Sequence, residues 1–180
     1  MRPSDDPAAA WYAEVYLWRQ YNTANPVQGE DTEFPGWTRA ASPNKVPFLK
    51  TSNPEELDTI IRCAQRATLN PMVNYELFRD PYYENHDIHS RLFSPNPVGI
   101  SITKPGLPAL SFYDLPGLIG QAETEEESYT VPLVRNLVSM YVGDREALVL
   151  VTCALENDIA TSTAAELARG LDATARCVGE

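Results

Sequence analysis

The sequence predicts an α/β fold, a mixed and mostly parallel sheet flanked by helices. Three observations carry that expectation. From Val98 onward, strand-like and helix-like segments alternate, which is the rhythm of parallel strands joined by crossover helices. Ala147-Leu-Val-Leu-Val-Thr152 is an unbroken apolar run, the mark of a strand covered on both faces. Leu133, Val134, Leu137, Val138 and Tyr141 recur at helical spacing, so the segment before that run presents one apolar face. Residues 1–180 read as one domain in two parts, a proline-rich irregular stretch over 1–97 and a regular α/β stretch over 98–180. The 15 prolines exceed the usual share of about 5% and point to a chain rich in loops, at least in its first part.

In chain order, Trp11-Tyr-Ala-Glu-Val-Tyr-Leu-Trp18 is aromatic and β-branched with partial alternation, and it reads as a strand. Residues 21–49 carry Pro26, Gly29, Pro35, Gly36, Pro43 and Pro47 and read as a long loop. A helix opens at Asn53, whose side chain suits the N-cap. Pro54 fits the first helical position, and Glu55 and Glu56 suit the positive helix start. Leu57, Ile60, Ile61 and Ala64 continue the helix, and Asn70-Pro71 stops it. Val98-Gly-Ile-Ser-Ile-Thr103 alternates as a half-buried strand, Lys104-Pro-Gly-Leu-Pro108 is a turn, and Ala109-Leu-Ser-Phe-Tyr113 is a second strand. Together they predict an antiparallel hairpin. A helix over 128–142 and the strand from Ala147 follow. Thr163-Ala-Ala-Glu166 has capping-box spacing and opens a helix running to about Arg169. Arg176-Cys-Val-Gly-Glu180 begins a further strand.

Charge narrows the function classes. Against 14 Lys and Arg stand 25 Asp and Glu, a formal net charge of -11. An acidic surface repels phosphate backbones, so nucleic acid is not an expected partner. A phosphate ligand would have to be held by backbone N–H groups, a metal ion or local basic residues. The longest apolar run, around 147–155, is far short of the ~20 residues of a membrane-spanning helix, and the first residues carry no hydrophobic signal core. A cytoplasmic location is the expectation. Cys63, Cys153 and Cys177 are odd in number and widely spaced, so they read as thiols in a reducing compartment.

The sharpest local feature is the tetrapeptide Asp114, Leu115, Pro116 and Gly117, directly after the strand expected over 109–113. An acid at the carboxyl end of a sheet strand lies where open α/β sheets place their ligands. In nucleotide hydrolases such an Asp holds Mg²⁺, and a glycine after it lets its backbone N–H approach a terminal phosphate closely. The same four letters are also ordinary turn chemistry. His86 and His89 flank Asp87 with Glu84 nearby, a weak candidate metal cluster against a reading as surface histidines. Glu123-Thr-Glu-Glu-Glu127 reads as a solvated loop before a helix. No spacing points to a Cys-His or Ser-His-Asp nucleophile, so no catalytic side chain is assigned. No G-x-x-x-x-G-K-[ST] stretch occurs in these residues.

Leu107-Pro-Ala-Leu-Ser-Phe-Tyr-Asp-Leu-Pro-Gly-Leu-Ile119 resembles the third GTPase motif of the dynamin family. Leu133-Val-Arg-Asn-Leu-Val138, Leu148-Val-Leu-Val-Thr152 and Glu156-Asn-Asp-Ile-Ala-Thr-Ser-Thr-Ala-Ala-Glu-Leu-Ala-Arg169 follow in the family's order. Upstream, Ala64-Gln-Arg-Ala-Thr-Leu-Asn-Pro71 and Phe93-Ser-Pro-Asn96 resemble dynamin-like GTPases of the fungal type. The resemblance runs from about Trp11 to the end and is most specific in the second half.

What it implies is a P-loop NTPase-like GTPase domain that binds and hydrolyses GTP with Mg²⁺ and drives membrane remodelling or fission through self-assembly. Asp114 then matches the family's Mg²⁺-linked acid, acting through water, and Gly117 the backbone contact to the γ-phosphate. GTP and GDP become the expected ligands, and a second copy or an intact dynamin-like homologue the expected partner. Membrane contact is expected only through regions outside these residues. The family's P-loop and its strand belong upstream of Trp11 and its guanine-reading Thr-Lys-x-Asp after Cys177. The chain therefore reads as an internal slice of the domain, with little nucleotide activity of its own. The alternative is a non-catalytic α/β interaction module or a decayed paralogue that does not bind nucleotide.

Overall fold

In a computed structural model of the chain, the described residues are 2–3, 10–24, 33–84, 90–122, 124–152 and 163–178. They belong to two compact units. The first comprises Met1–Gly29 and Gly36–Phe112, and the second Glu30–Pro35 and Tyr113–Glu180.

The first unit is a four-stranded sheet with one helix on a face. Its strands are β1 (Arg2–Pro3), β2 (Tyr12–Thr23), β3 (Trp37–Thr51) and β4 (Val98–Lys104), in the spatial order β1-β4-β2-β3. β2 is antiparallel to both β3 and β4, and only the two-residue β1 runs parallel to its neighbour β4. This sheet is therefore mainly antiparallel, where the sequence predicts a mostly parallel one. Alternation places Ala13, Val15 and Leu17 of β2 on the inner face, where α1 (Leu57–Leu69) brings Ile60, Cys63, Ala64 and Ala67. Phe48 and Phe78 complete that apolar cluster. Burial pushes the Cys63 thiol pKa up, so the residue acts as a small core hydrophobe and is not an activated nucleophile.

The start of α1 follows the sequence expectation closely. Asn53 Oδ1 accepts from the Glu55 N–H at 3.1 Å, Pro54 opens a short 3₁₀ turn (Pro54–Glu56), and the Thr51 hydroxyl donates to Glu56 at 2.7 Å. The chain stops being helical at Asn70, as expected.

β3 overturns the expectation of a long loop over 21–49. Its two prolines sit where a strand tolerates them. Among the described residues β3 pairs on one side only, and the pairing slips where prolines lie. Arg19 pairs with Asn44 but Tyr21 with Arg39, so 40–43 bulge out with Pro43 among them. Tyr16 pairs with Pro47 but Val15 with Leu49, which leaves Phe48 as an extra residue. Asn96 stabilises the larger slip. Its buried side chain accepts from the N–H groups of Gln20 and Tyr21 at 2.8 Å each and donates to the Tyr21 carbonyl at 2.8 Å. On the outer face the Tyr16 ring lies over Gly99, where a Cβ would overlap it, and Lys45 stacks on the ring's other neighbourhood at 3.3 Å from its centroid.

The expected hairpin of 98–103 with 109–113 is not formed. The turn is made, with the Leu107 N–H donating to the Lys104 carbonyl and Gly106 at φ 74°. The following residues, 107–119, form no strand, and β4 pairs instead with β2 and, at its end, with β1.

The second unit contains α2 (Thr130–Val142), β5 (Val149–Leu150), α3 (Thr163–Gly170) and β6 (Cys177–Val178). Here the α/β rhythm holds, and β5 and β6 pair in parallel. Leu133 and Val134 of α2 are fully buried, with Leu137, Val138 and Val142 close to it. Arg176 locks the far end of α2. Its guanidinium donates to the last helical carbonyl, that of Val142, at 2.9 Å and to the carbonyls of Asp144 and Ala147 in the following turn at 2.7 Å. Leu148 and Leu150 are 80% and 72% exposed, so β5 is not the strand covered on both faces that its composition predicts.

Candidate functional site

Asp114, Leu115, Pro116 and Gly117 lie in the second unit on an extended segment that makes no turn or bend between Leu107 and Ile119. Turn chemistry therefore does not explain the Pro-Gly pair. Gly117 has no left-handed φ, and a Cβ built on it meets nothing within 4 Å. Neither backbone conformation nor packing among the described residues demands glycine there.

Asp114 is exposed, and among the described residues its carboxylate makes no ion pair or hydrogen bond. An uncommitted carboxylate is a hard oxygen donor, and Mg²⁺ takes few protein ligands and keeps several waters, so the two fit. No group of three or more His, Cys, Asp and Glu side chains gathers into a direct metal cage among the described residues. His86, Asp87 and His89 lie outside the described residues, and so does Cys153. The strand expected immediately before Asp114 is absent. Leu110, Phe112 and Tyr113 are 49%, 69% and 67% exposed, since an alternating sequence becomes a strand only where a neighbour supplies the ladder.

Beside Asp114 lies an aromatic contact that sequence inspection missed. The Tyr113 ring packs on Tyr141, near the end of α2, with centroids 4.4 Å apart and planes tilted by 38°. The only local signal was Tyr141 in the helix's apolar series, which reads as core. No described helix is long and apolar enough to cross a membrane.

Two known proteins are similar to part of this chain. It is 29% identical to the interferon-induced GTP-binding protein Mx of Gallus gallus over 77 residues, 43% of this chain. It is 30% identical to phragmoplastin DRP1A of Arabidopsis thaliana over 83 residues, 46% of this chain. Both are dynamin-family GTPases. The similarity is partial. It covers less than half of the chain, where the sequence resemblance extends from Trp11 to the end, and it spans 11% and 14% of those two proteins' own length. No family model and no solved structure matches the chain.

Proposed function

We propose that this chain is part of a dynamin-type GTP-binding domain of the fungal kind, with Asp114, Leu115, Pro116 and Gly117 at its phosphate end. The observation that carries the reading is the partial similarity to two dynamin-family GTPases. The geometry around Asp114 supports it. On this reading Asp114 would hold a Mg²⁺ ion through its negative charge, and the Gly117 N–H would be available to a phosphate oxygen. When bound, Mg²⁺ neutralises charge on the phosphate oxygens. Hydrolysis of GTP, self-assembly and remodelling of a membrane belong, on this reading, to the whole cytoplasmic protein, whose sheet is completed as a parallel P-loop fold.

The donors that the P-loop class uses for the β-phosphate, a Gly-rich loop and its lysine, have no counterpart in these residues. Binding by the chain alone is therefore expected to be weaker than micromolar. Amide spectra recorded during titration with millimolar Mg²⁺ and GTP test this. The expected result is a shift of the Asp114 and Gly117 signals that requires Mg²⁺ and is lost in Asp114→Ala. No response at either residue would leave the reading as a non-catalytic interaction module, which the exposed Leu148 and Leu150 then favour.

A further inference from the structure

We infer that Tyr141 is a positioning residue for the Asp114–Gly117 segment, acting through Tyr113. The purpose assigned to that segment rests on the nucleotide reading above; the contact does not. Between Leu107 and Ile119 the backbone has no helix and no ladder, so nothing regular fixes the direction of Asp114. A side chain with two open backbone torsions on either side would sample many directions, and pre-organised binding needs one. Tyr113 immediately precedes Asp114 and is two-thirds exposed, yet its ring packs on Tyr141 with centroids 4.4 Å apart.

The other half of the pair is held firmly. Tyr141 stands one turn beyond Leu137, on the side of α2 that carries the buried Leu133, Val134, Leu137 and Val138. Just beyond it, Arg176 ties down the carbonyls of Val142, Asp144 and Ala147. The helix end is thus an anchored post, and the aromatic contact transfers its order to the residue before the carboxylate. The contact is ring on ring, so phenylalanine at 141 keeps it and alanine abolishes it.

The test uses the full chain, with ¹⁵N relaxation and amide shifts read at Asp114, Gly117 and Leu133 to Val138 without nucleotide. In Tyr141→Ala the ¹H–¹⁵N NOE at Asp114 and Gly117 is expected to fall well below that of Leu133 to Val138, with α2 unchanged. Tyr141→Phe restores the wild-type values, and Tyr113→Ala, which removes the other ring at a position two-thirds exposed and outside α2, reproduces the loss. Unchanged signals at Asp114 and Gly117 in Tyr141→Ala and Tyr113→Ala overturn the inference. So does a loss that Tyr141→Phe shares with Tyr141→Ala. Adding Mg²⁺ and GTP to the wild type then judges the nucleotide reading by itself, since a silent titration defeats that reading while the relaxation result still decides the role of Tyr141.

Discussion

The two units differ in how they are held and in what they carry. The first has as many basic as acidic side chains, and its sheet is bound to α1 through a continuous apolar cluster and to itself through long ladders. All of the formal net charge of -11 falls in the second unit, whose only described sheet is a two-residue parallel pair with exposed leucines. Neutral surface and long antiparallel pairing make a self-sufficient scaffold. Concentrated negative charge and a minimal sheet make a unit that its own residues stabilise weakly, since like charges repel and two strands are marginal alone. The candidate phosphate segment lies in that second, acidic unit. A triphosphate proposed for that segment would meet this negative charge, which a divalent cation would offset.

Removing Leu133 should separate the units most sharply. It is fully buried in the second unit, and Leu133→Ala is expected to cost about 3 kcal/mol. Hydrogen exchange read residue by residue should show protection lost from α2 and α3 while β2 and α1 keep theirs. Equal loss in both would show one cooperative unit and break the comparison. In the first unit, Asn96→Ala leaves two N–H groups and one carbonyl of β2 without their partner. A loss of about 2 kcal/mol is expected, visible as a lower urea midpoint for the sheet with α2 unaffected.

Salt provides a gentler discriminator. Raising ionic strength from about 0.01 M to about 0.15 M shortens the Debye length from roughly 30 to 8 Å. Slower exchange is expected in the second unit as its self-repulsion is screened, with almost no change in the first. Equal slowing would place the destabilising charge elsewhere.

The smallest effect concerns the exposed Lys50–Glu14 pair on the outer face of the sheet. Its hydrogen bond to Lys50 holds the Glu14 carboxyl below the usual range, and Glu14 in turn raises the Lys50 pKa. The Glu14 contribution is present above the ordinary carboxylate pKa and lost as pH falls through the lowered one. The Lys50 contribution is present below the ordinary lysine pKa and lost as pH rises through the raised one. Both groups are solvated, so Lys50→Met should lower the neutral-pH melting temperature only slightly, and that small difference should vanish as pH falls through the lowered Glu14 pKa. A clear drop at neutral pH would mean that the ion pair stabilises the sheet more than a solvated pair does.

Where the governing interactions are local, the sequence alone was sufficient. Asn53, Pro54 and Glu56 sit next to the groups they cap, so the start of α1 is legible in a few letters. The apolar faces of α1 and α2 and the alternation of β2 are equally visible, because each repeats with its own period. The tetrapeptide from Asp114 to Gly117 was legible as a candidate, and so was the direction of the dynamin resemblance. Pairing was decided only by the tertiary structure. β3 looked like a loop because prolines forbid a central strand, yet they are tolerated at an edge with register slips. Residues 109–113 had the composition of a strand and did not become one, because β4's neighbours are set by contacts remote in sequence. The Tyr113–Tyr141 contact is of the same kind. Each side chain is unremarkable alone, and only the fold of the second unit brings the rings within 4.4 Å.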